Sequence, residues 1–254
     1  MLNFKIINPD KGKNAIVFLH GFLESITMWD YLPLINLDCP AILIDLPGHG
    51  KSILEDDSFP NLDFYASEVS TLLNELDYEI TSLVGHSMGG YVSLLLKERH
   101  FSLSSLVLLN SNFWSDSEQK KKDRVRVADI VLKNKNLFVK EAIPNLFIDP
   151  KLNNDKVQKM IHETSCMDSF SISYASLAMR DRKDFSQSKI LSNDVLIIQG
   201  EKDKTVICDE MKIKCQDLKV ELEIIDEVGH MAHIENSLIV FDLIQKHFSK
   251  HFKC

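Results

Sequence analysis

The sequence predicts an α/β fold built on a doubly wound, mostly parallel sheet. Three observations predict it. Short apolar runs recur along the chain, each ending in a turn. Helical patterns with one apolar face lie between them. A glycine-flanked turn, Val84-Gly85-His86-Ser87-Met88-Gly89-Gly90-Tyr91, joins one apolar run directly to a helix. Alternating strand and helix is the signature of a sheet covered by helices.

The predicted strands, in order, are Ala15–Leu19, Ala41–Ile44, Ser82–Val84, Ser105–Leu109, Val195–Ile198 and Val220–Ile225. Three of them are nearly continuous in Val, Ile, Leu and Phe, the composition of strands buried on both faces. Between the second and third, Phe64, Val69, Leu72, Leu73 and Leu76 share one face of a helix. After the glycine turn, Tyr91, Val92, Leu94, Leu95 and Leu96 give a second apolar face, and Leu238 to Phe248 gives another near the C-terminus. From Phe113 to Asp184 the alternation stops: the stretch is helical in pattern and strongly charged, with no clear buried strand. At about 70 residues it is too long for one crossover and reads as a helical cap over the C-terminal edge of the sheet. Pro144 and Pro150 are expected to break its helices.

A chain of 254 residues can bury a full core. Its formal net charge of -8 argues against nucleic acid, whose phosphates repel an acidic surface. The five cysteines, Cys39, Cys166, Cys208, Cys215 and Cys254, are scattered with no metal-ligand spacing, which suits small thiols in a reducing compartment. Lys5, Asp10, Lys11 and Lys13 charge the N-terminus, so a signal peptide is not expected. No segment has the run of apolar residues needed to span a bilayer. The expected location is the cytoplasm.

The glycine turn fits the nucleophile-elbow pattern G-x-S-x-G, with Ser87 at the bend. A serine in a strained turn is tolerated where its neighbours lack clashing side chains, which Gly85 and Gly89 provide. A neutral hydroxyl is a poor nucleophile and needs a base, and the base needs an orienting group. Gly200-Glu201-Lys202-Asp203 follows one predicted strand and Gly229-His230 follows the next. The order Ser87, Asp203, His230, each after a strand, is the order this elbow calls for.

On these residues the chain resembles the α/β-hydrolase superfamily, in its small capped esterase-like branch. The motifs that carry the resemblance are His20-Gly21-Phe22, Asp45 to Ser52, Gly85 to Gly90, Gly200 to Asp203, and Gly229-His230 with Glu235. The resemblance covers nearly the whole chain and is weakest in the cap. It implies a sheet with the cap inserted after the sixth strand, a core of residues 1–112 and 185–254, and a cap of residues 113–184. It implies Ser87 as nucleophile, His230 as general base and Asp203 as the orienting carboxylate. The backbone N–H groups of Phe22 and Met88 are the implied oxyanion hole. The substrate implied is a small carboxylic ester or thioester, with no cofactor and no metal.

Other assignments compete. His233, three residues after His230, is a weaker candidate base, and His20 and His86 are expected to support loop structure. Asn110, in the position some relatives use for the acid, cannot ionise. Gly50-Lys51-Ser52 resembles the end of a phosphate-binding loop, but Asp45 stands where its first glycine belongs. The spacing of His230 and His233 lacks the glutamate of a zinc helix. Leu23, Phe113, Trp114 and Met231 are candidate pocket residues, with Phe113 and Trp114 equally suited to clamp the cap to the core. Lys120-Lys121-Lys122 reads as a solvated helix face, and Arg180 to Asp184 as a salt-bridged hinge more than a source of a pocket arginine. Two other functions fit the same triad. One is carbon–carbon bond cleavage or elimination, as in the similar lyases of menaquinone synthesis, which have arginine where Tyr91 stands here. The other is a ligand-sensing protein on the same fold.

Overall fold

The computed structural model describes residues 1–55, 59–99 and 103–251, so Cys254 lies outside the described residues. The chain order is β1 (Phe4–Ile7), β2 (Asn14–Leu19), β3 (Ala41–Ile44), α1 (Leu62–Glu75), β4 (Glu79–His86), α2 (Met88–Glu98) and β5 (Ser105–Leu109). Then come α3 (Glu118–Ala142), α4 (Asn154–Cys166), α5 (Ser169–Arg180), β6 (Val195–Gly200), α6 (Cys208–Cys215), β7 (Glu221–Ile225), α7 (Ala232–Glu235) and α8 (Ser237–His251). The strands form one seven-stranded sheet in the order β1-β3-β2-β4-β5-β6-β7. β1 runs antiparallel to β3, and all other neighbours are parallel.

Alternation along the strands divides the core. Ala15, Val17 and Leu19 of β2 pack on one face of the sheet with α1 and α2, while Ile16 and Phe18 pack on the other with α8. β5 and β6 split in the same way. The registers Leu19↔Gly85, His86↔Leu109, Leu109↔Ile198 and Gly200↔Ile225 bring the C-terminal ends of β2, β4, β5, β6 and β7 to one edge. The strand order reverses between β2 and β4, so the loops after these two strands meet there, as ligand-binding loops do in open parallel sheets.

Between β5 and β6 the chain is helical. Ser117 caps α3 by accepting from the Lys120 N–H, and Asp168 caps α5 through the Ser171 N–H. Pro144 opens a 3-10 turn, Pro144–Leu146, just past α3, and Pro150 precedes α4. Asn134 interrupts α3 with non-helical dihedrals. A third apolar cluster, including Leu23, Val131, Ile143, Phe147, Met160, Met231 and Ile234, joins this helical segment to the loops of the sheet.

The segment leaves the sheet where the sequence indicates, after Ser105–Leu109, but that strand is the fifth in chain order and not the sixth. Only β1 to β4 precede it among the described residues. β1 itself escaped prediction because its four residues are partly exposed and antiparallel, lacking the continuous apolar run of the buried strands. No helix among the described residues is long and apolar enough to cross a membrane.

Candidate active site

β4 ends at His86, and α2 starts at Met88, so one residue makes the whole turn. That residue, Ser87, takes φ +49 and ψ -114, a conformation that L-residues rarely adopt. Hydrogen bonds hold it there. Its N–H donates to the Leu109 carbonyl at 3.0 Å. Its carbonyl accepts from the Gly90 N–H at 3.1 Å and from the Ser111 hydroxyl at 2.7 Å. The glycines permit the turn: a Cβ on Gly85 would lie 2.5 Å from the Gly89 carbonyl oxygen and from Cα of Gly90. A Cβ on Gly89 would run into the carbonyls of Leu19 and His20.

Asp203 follows β6 and His230 follows β7. The Nε2 of His230 lies 3.0 Å from Oγ of Ser87, and its Nδ1 lies 2.8 Å from Oδ2 of Asp203. The three side chains form one continuous chain of hydrogen bonds. Asp203 Oδ1 accepts from the N–H groups of Thr205 and Val206 at 2.7 and 3.0 Å. Burial alone raises a carboxyl's pKa, but here the His230 ring, then the hydrogen bonds from His230, Val206 and Asn110, outweigh it and hold Asp203 down at about 2.

Two of the groups that hold this carboxylate were not foreseen. Asn110, the rival position for the acid, donates from Nδ2 to Asp203 Oδ2 at 2.9 Å and to the Gly229 carbonyl at 3.1 Å. Gln199 donates to the same Oδ2 at 3.3 Å. Their signal in the sequence is position: each ends a strand next to the one that carries Asp203, or that strand itself.

The loop after β2 brings Phe22 into the same cleft as Ser87 and His230. Leu23 turns that loop with φ +67, and its carbonyl accepts from the Thr164 hydroxyl on α4 at 2.8 Å. Met88 opens α2, so its N–H belongs to the first helical turn, whose donors have no partner within the helix. His20 braces the loop. Its Nε2 accepts from the Leu46 N–H at 3.0 Å, which leaves Nδ1 to donate to the Gly21 carbonyl at 2.8 Å. Burial lowers its pKa, consistent with that neutral form.

His86 does more than brace. Its Nδ1 lies 3.0 Å from Oε2 of Glu24, and its Nε2 lies 2.9 Å from the His230 carbonyl oxygen. A ring facing two acceptors donates to both only as an imidazolium. Burial disfavours charge on His86, but the Glu24 carboxylate beside it prevails and raises its pKa. Burial likewise opposes charge on Glu24, and His86 prevails and lowers that pKa. The same Glu24 oxygen accepts the Gly21 N–H at 2.6 Å. One buried ion pair therefore ties together the Phe22 loop, the elbow and the His230 loop.

His233 is fully buried, with its ring 4.6 Å from that of His86 and 5.5 Å from that of Trp29. It faces these rings and not Ser87, and burial holds its pKa well below the usual range. Asp45 anchors the Gly50-Lys51-Ser52 loop, accepting from the N–H groups of Ile26 and Lys51 at 2.7 and 2.9 Å. That loop is built around a carboxylate, the opposite of a phosphate cradle.

Ser87 and His230 open onto a small cleft of about 80 Å³ lined by Phe22, Leu23, Met88, Leu146, Met179 and Val206 among others. Phe113, Trp114 and Met231 do not line it. Phe113 and Trp114 pack edge to face in the core, where the Phe113 carbonyl accepts from the Phe185 N–H and the Trp114 carbonyl from the Tyr91 hydroxyl. They fasten the start of the helical segment to its end and to α2. Met231 is buried beneath α4 in the third apolar cluster. Lys122 is exposed and Lys121 pairs with Glu118, as a solvated face requires, but Lys120 turns into the cleft. Arg180 pairs with Asp181, whereas Arg182 reaches the cleft and pairs with Asp116. A larger cavity of about 320 Å³ lies beyond Leu23, against α4, and contains neither Ser87 nor His230.

Comparison with known proteins decides the family. Residues 16–243 match the model of the alpha/beta hydrolase family. The chain belongs to that family. It is 26% identical over 236 residues to the dihydrolipoyllysine-residue acetyltransferase component of an acetoin cleaving system from Pseudomonas putida, covering 89% of this chain and 60% of that protein. The chain thus spans less than two thirds of that relative. Among solved structures, a thermophilic esterase from Thermogutta terrifontis, described with malate bound, superposes with a TM-score of 0.86 at 24% identity, covering 99% of this chain and 94% of that one. MenH from S. aureus superposes with a TM-score of 0.86 at 22% identity over the full length of both chains. At these identities, the two structural likenesses are of fold.

Proposed function

We propose that this alpha/beta hydrolase is a serine hydrolase that cleaves a small carboxylic ester or thioester through an acyl-enzyme on Ser87. The single observation that carries the reading is the unbroken hydrogen-bonded chain Asp203–His230–Ser87, with links of 2.8 and 3.0 Å. Asp203, ionised, accepts from Nδ1–H of His230. That leaves Nε2 unprotonated toward Ser87, where a general base must be.

His230 takes the Ser87 proton as Oγ attacks the substrate carbonyl. The negative charge that develops on the carbonyl oxygen is met by the backbone N–H groups of Phe22 and Met88, each worth about 3 kcal/mol in the transition state. His230 then protonates the departing alcohol or thiol. Water, activated by the same imidazole, attacks the acyl-enzyme and releases the acid. All proton transfers use one ring nitrogen, which is why a fixed tautomer matters.

The reading divides the chain into a catalytic core, residues 1–112 and 185–254, and a cap, residues 113–184, that closes over the cleft. The scattered thiols suit a reducing compartment, and the proposal places the enzyme in the cytoplasm.

Fluorophosphonate labelling followed by peptide mapping tests the nucleophile, and 4-nitrophenyl esters of increasing acyl length test the reaction. The expected result is a label on Ser87, an acyl-enzyme burst, and loss of both in Ser87→Ala. Turnover of a carbonyl substrate without any trappable Ser87 adduct would overturn the hydrolase reading in favour of a lyase. Ligand binding with no turnover at all would favour a sensor.

A further inference from the structure

The cleft beside Ser87 gathers three cationic side chains. Lys120 and Arg124 of α3 and Arg182, just past α5, all line it. Among the described residues the one buried carboxylate paired with them is Asp116, whose side chain is fully covered and bound to Arg124 and Arg182. Arg124 Nε lies 3.0 Å from one of its oxygens, and an Arg182 nitrogen lies 2.6 Å from the other. Asp116 therefore pairs with two of the three cations, and the exposed Asp184 and Glu210 act on Arg182 and Lys120 without forming a salt bridge to them. Lys120 points its ammonium at a neutral group, the Thr205 carbonyl, at 3.0 Å.

Arg182 is set in place with care. Its side chain is only 8% exposed. Its guanidinium lies over the ring of Tyr91, 4.4 Å from the centroid, so the plane is fixed on one side by an aromatic face. Its Nε–H has no hydrogen-bond partner among the described residues. A guanidinium this deeply covered normally satisfies its donors within the protein. The crowding is felt on Lys120 too: burial lowers its pKa, with Arg182 and Arg124 adding to the effect and Asp116 opposing it. A cluster of partly buried cations, one with an unused donor, is the complement of an anion.

We propose that the substrate is an ester bearing a free carboxylate, which Arg182, Lys120 and Arg124 hold beneath the helical segment while Ser87 attacks the ester carbonyl. The inference rests on the reading of Ser87 as nucleophile, and it narrows the substrate to a monoester of a dicarboxylic acid or an ester of a hydroxy acid.

The test uses matched pairs that differ in one charge. Mono(4-nitrophenyl) adipate is compared with its methyl-capped diester, and 4-acetoxybenzoate with its methyl ester. These place the carboxylate on the acyl side and on the leaving group, respectively. The expected result is a kcat/KM at least about tenfold higher for the anion in one of the two pairs. Lys120→Gln and Arg182→Gln should each erase most of that ratio. Lys120→Gln leaves the Asp116 pairings intact, so it reports even if Arg182→Gln fails to fold.

Binding of adipate to Ser87→Ala, read by calorimetry, separates this inference from the hydrolase reading. Adipate binding that weakens about tenfold in Ser87→Ala/Lys120→Gln supports the anion site, whatever Ser87 does. Labelled Ser87 with no charge preference and no adipate binding overturns the anion site and leaves the hydrolase standing. Equal losses on charged and neutral esters in both variants also overturn it, by making the cations structural. Binding of inorganic phosphate without adipate overturns the carboxylate assignment.

Discussion

Glu24 and His86 form an ion pair 3.0 Å long in the interior of the protein, one residue away from the serine at the elbow. Neither side chain is more than marginally exposed. Because the imidazolium also holds the His230 carbonyl, and its ring lies 4.9 Å from that of His230, the pair ties the elbow that carries Ser87 to the His230 loop. Removing one partner of a buried pair leaves the other charge uncompensated, typically a loss of 3–5 kcal/mol. Glu24→Ala should therefore lower the melting temperature by roughly 10 °C, at about 2–4 °C per kcal/mol for a chain of this size. Glu24→Gln keeps an acceptor for the Gly21 N–H and should lose less. In both, kcat should fall, since the pair fixes the Phe22 loop and the His230 loop on either side of Ser87. Differential scanning calorimetry and steady-state kinetics check the two parts.

The same pair predicts a pH signature. His86 has a raised pKa, so its contribution to stability is full below the ordinary histidine value of 6.5 and is lost as pH rises through its folded value. Glu24 has a lowered pKa, so its contribution is present above 4.5 and is lost as pH falls through its folded value. The stability difference between wild type and Glu24→Gln should peak between about pH 4.5 and 6.5. Denaturant titrations across pH 3 to 9 measure it, and a flat difference would count against an ionised pair.

Asp203 predicts an acid limb and a catalytic one. Its pKa falls from 3.8 to about 2, so the stabilisation it gives is present above 3.8 and disappears as pH drops toward 2. Asp203→Asn should remove that limb from the stability profile. It should also lower kcat by a factor on the order of 10⁴, because the amide favours the wrong imidazole tautomer. Asn110→Ala should cost far less, about tenfold in kcat, since Thr205, Val206 and Gln199 still hold the carboxylate.

Gly85→Ala tests the elbow itself. Its Cβ would press on the backbone of Gly89 and Gly90, which cannot move without unseating Ser87. The variant should lose more than about 3 kcal/mol of stability and recover little soluble protein. A variant that folds and keeps wild-type kcat would show that the turn is looser than the geometry implies.

The sheet was legible because its central strands are buried on both faces and carry uninterrupted apolar runs, and because the loop residues that matter follow those runs directly. The elbow motif and the loops after the strands pointed to Ser87, Asp203 and His230, which the structure brings into hydrogen-bond contact. The supporting cast could not be found in this way. Asn110, Gln199 and Glu24 act through contacts between segments remote in sequence, and a lone amide or carboxylate carries no periodic signal. Lys120 illustrates the limit: in the run Lys120-Lys121-Lys122 the three residues look alike, and only the rotation of α3 against the core decides which one turns inward. Of the two readings open for Phe113 and Trp114, pocket or clamp, the structure takes the clamp, and Met231 too lies outside the cleft, for a related reason. Adjacency in sequence to a catalytic loop does not fix which side of the backbone a side chain takes.

The helical segment grips the histidine loop by its backbone. The His230 N–H donates to the Leu146 carbonyl at 2.9 Å, and Glu235 spans the N–H groups of Ile148 and Gly229 at 2.8 and 2.9 Å. The helical segment over the cleft is thus stitched to the loop that carries the His230 imidazole. Exchanging it for that of a relative would carry residues 144–148 across as well, so a chimera that respects this seam should retain a working imidazole where one cut inside it loses its alignment.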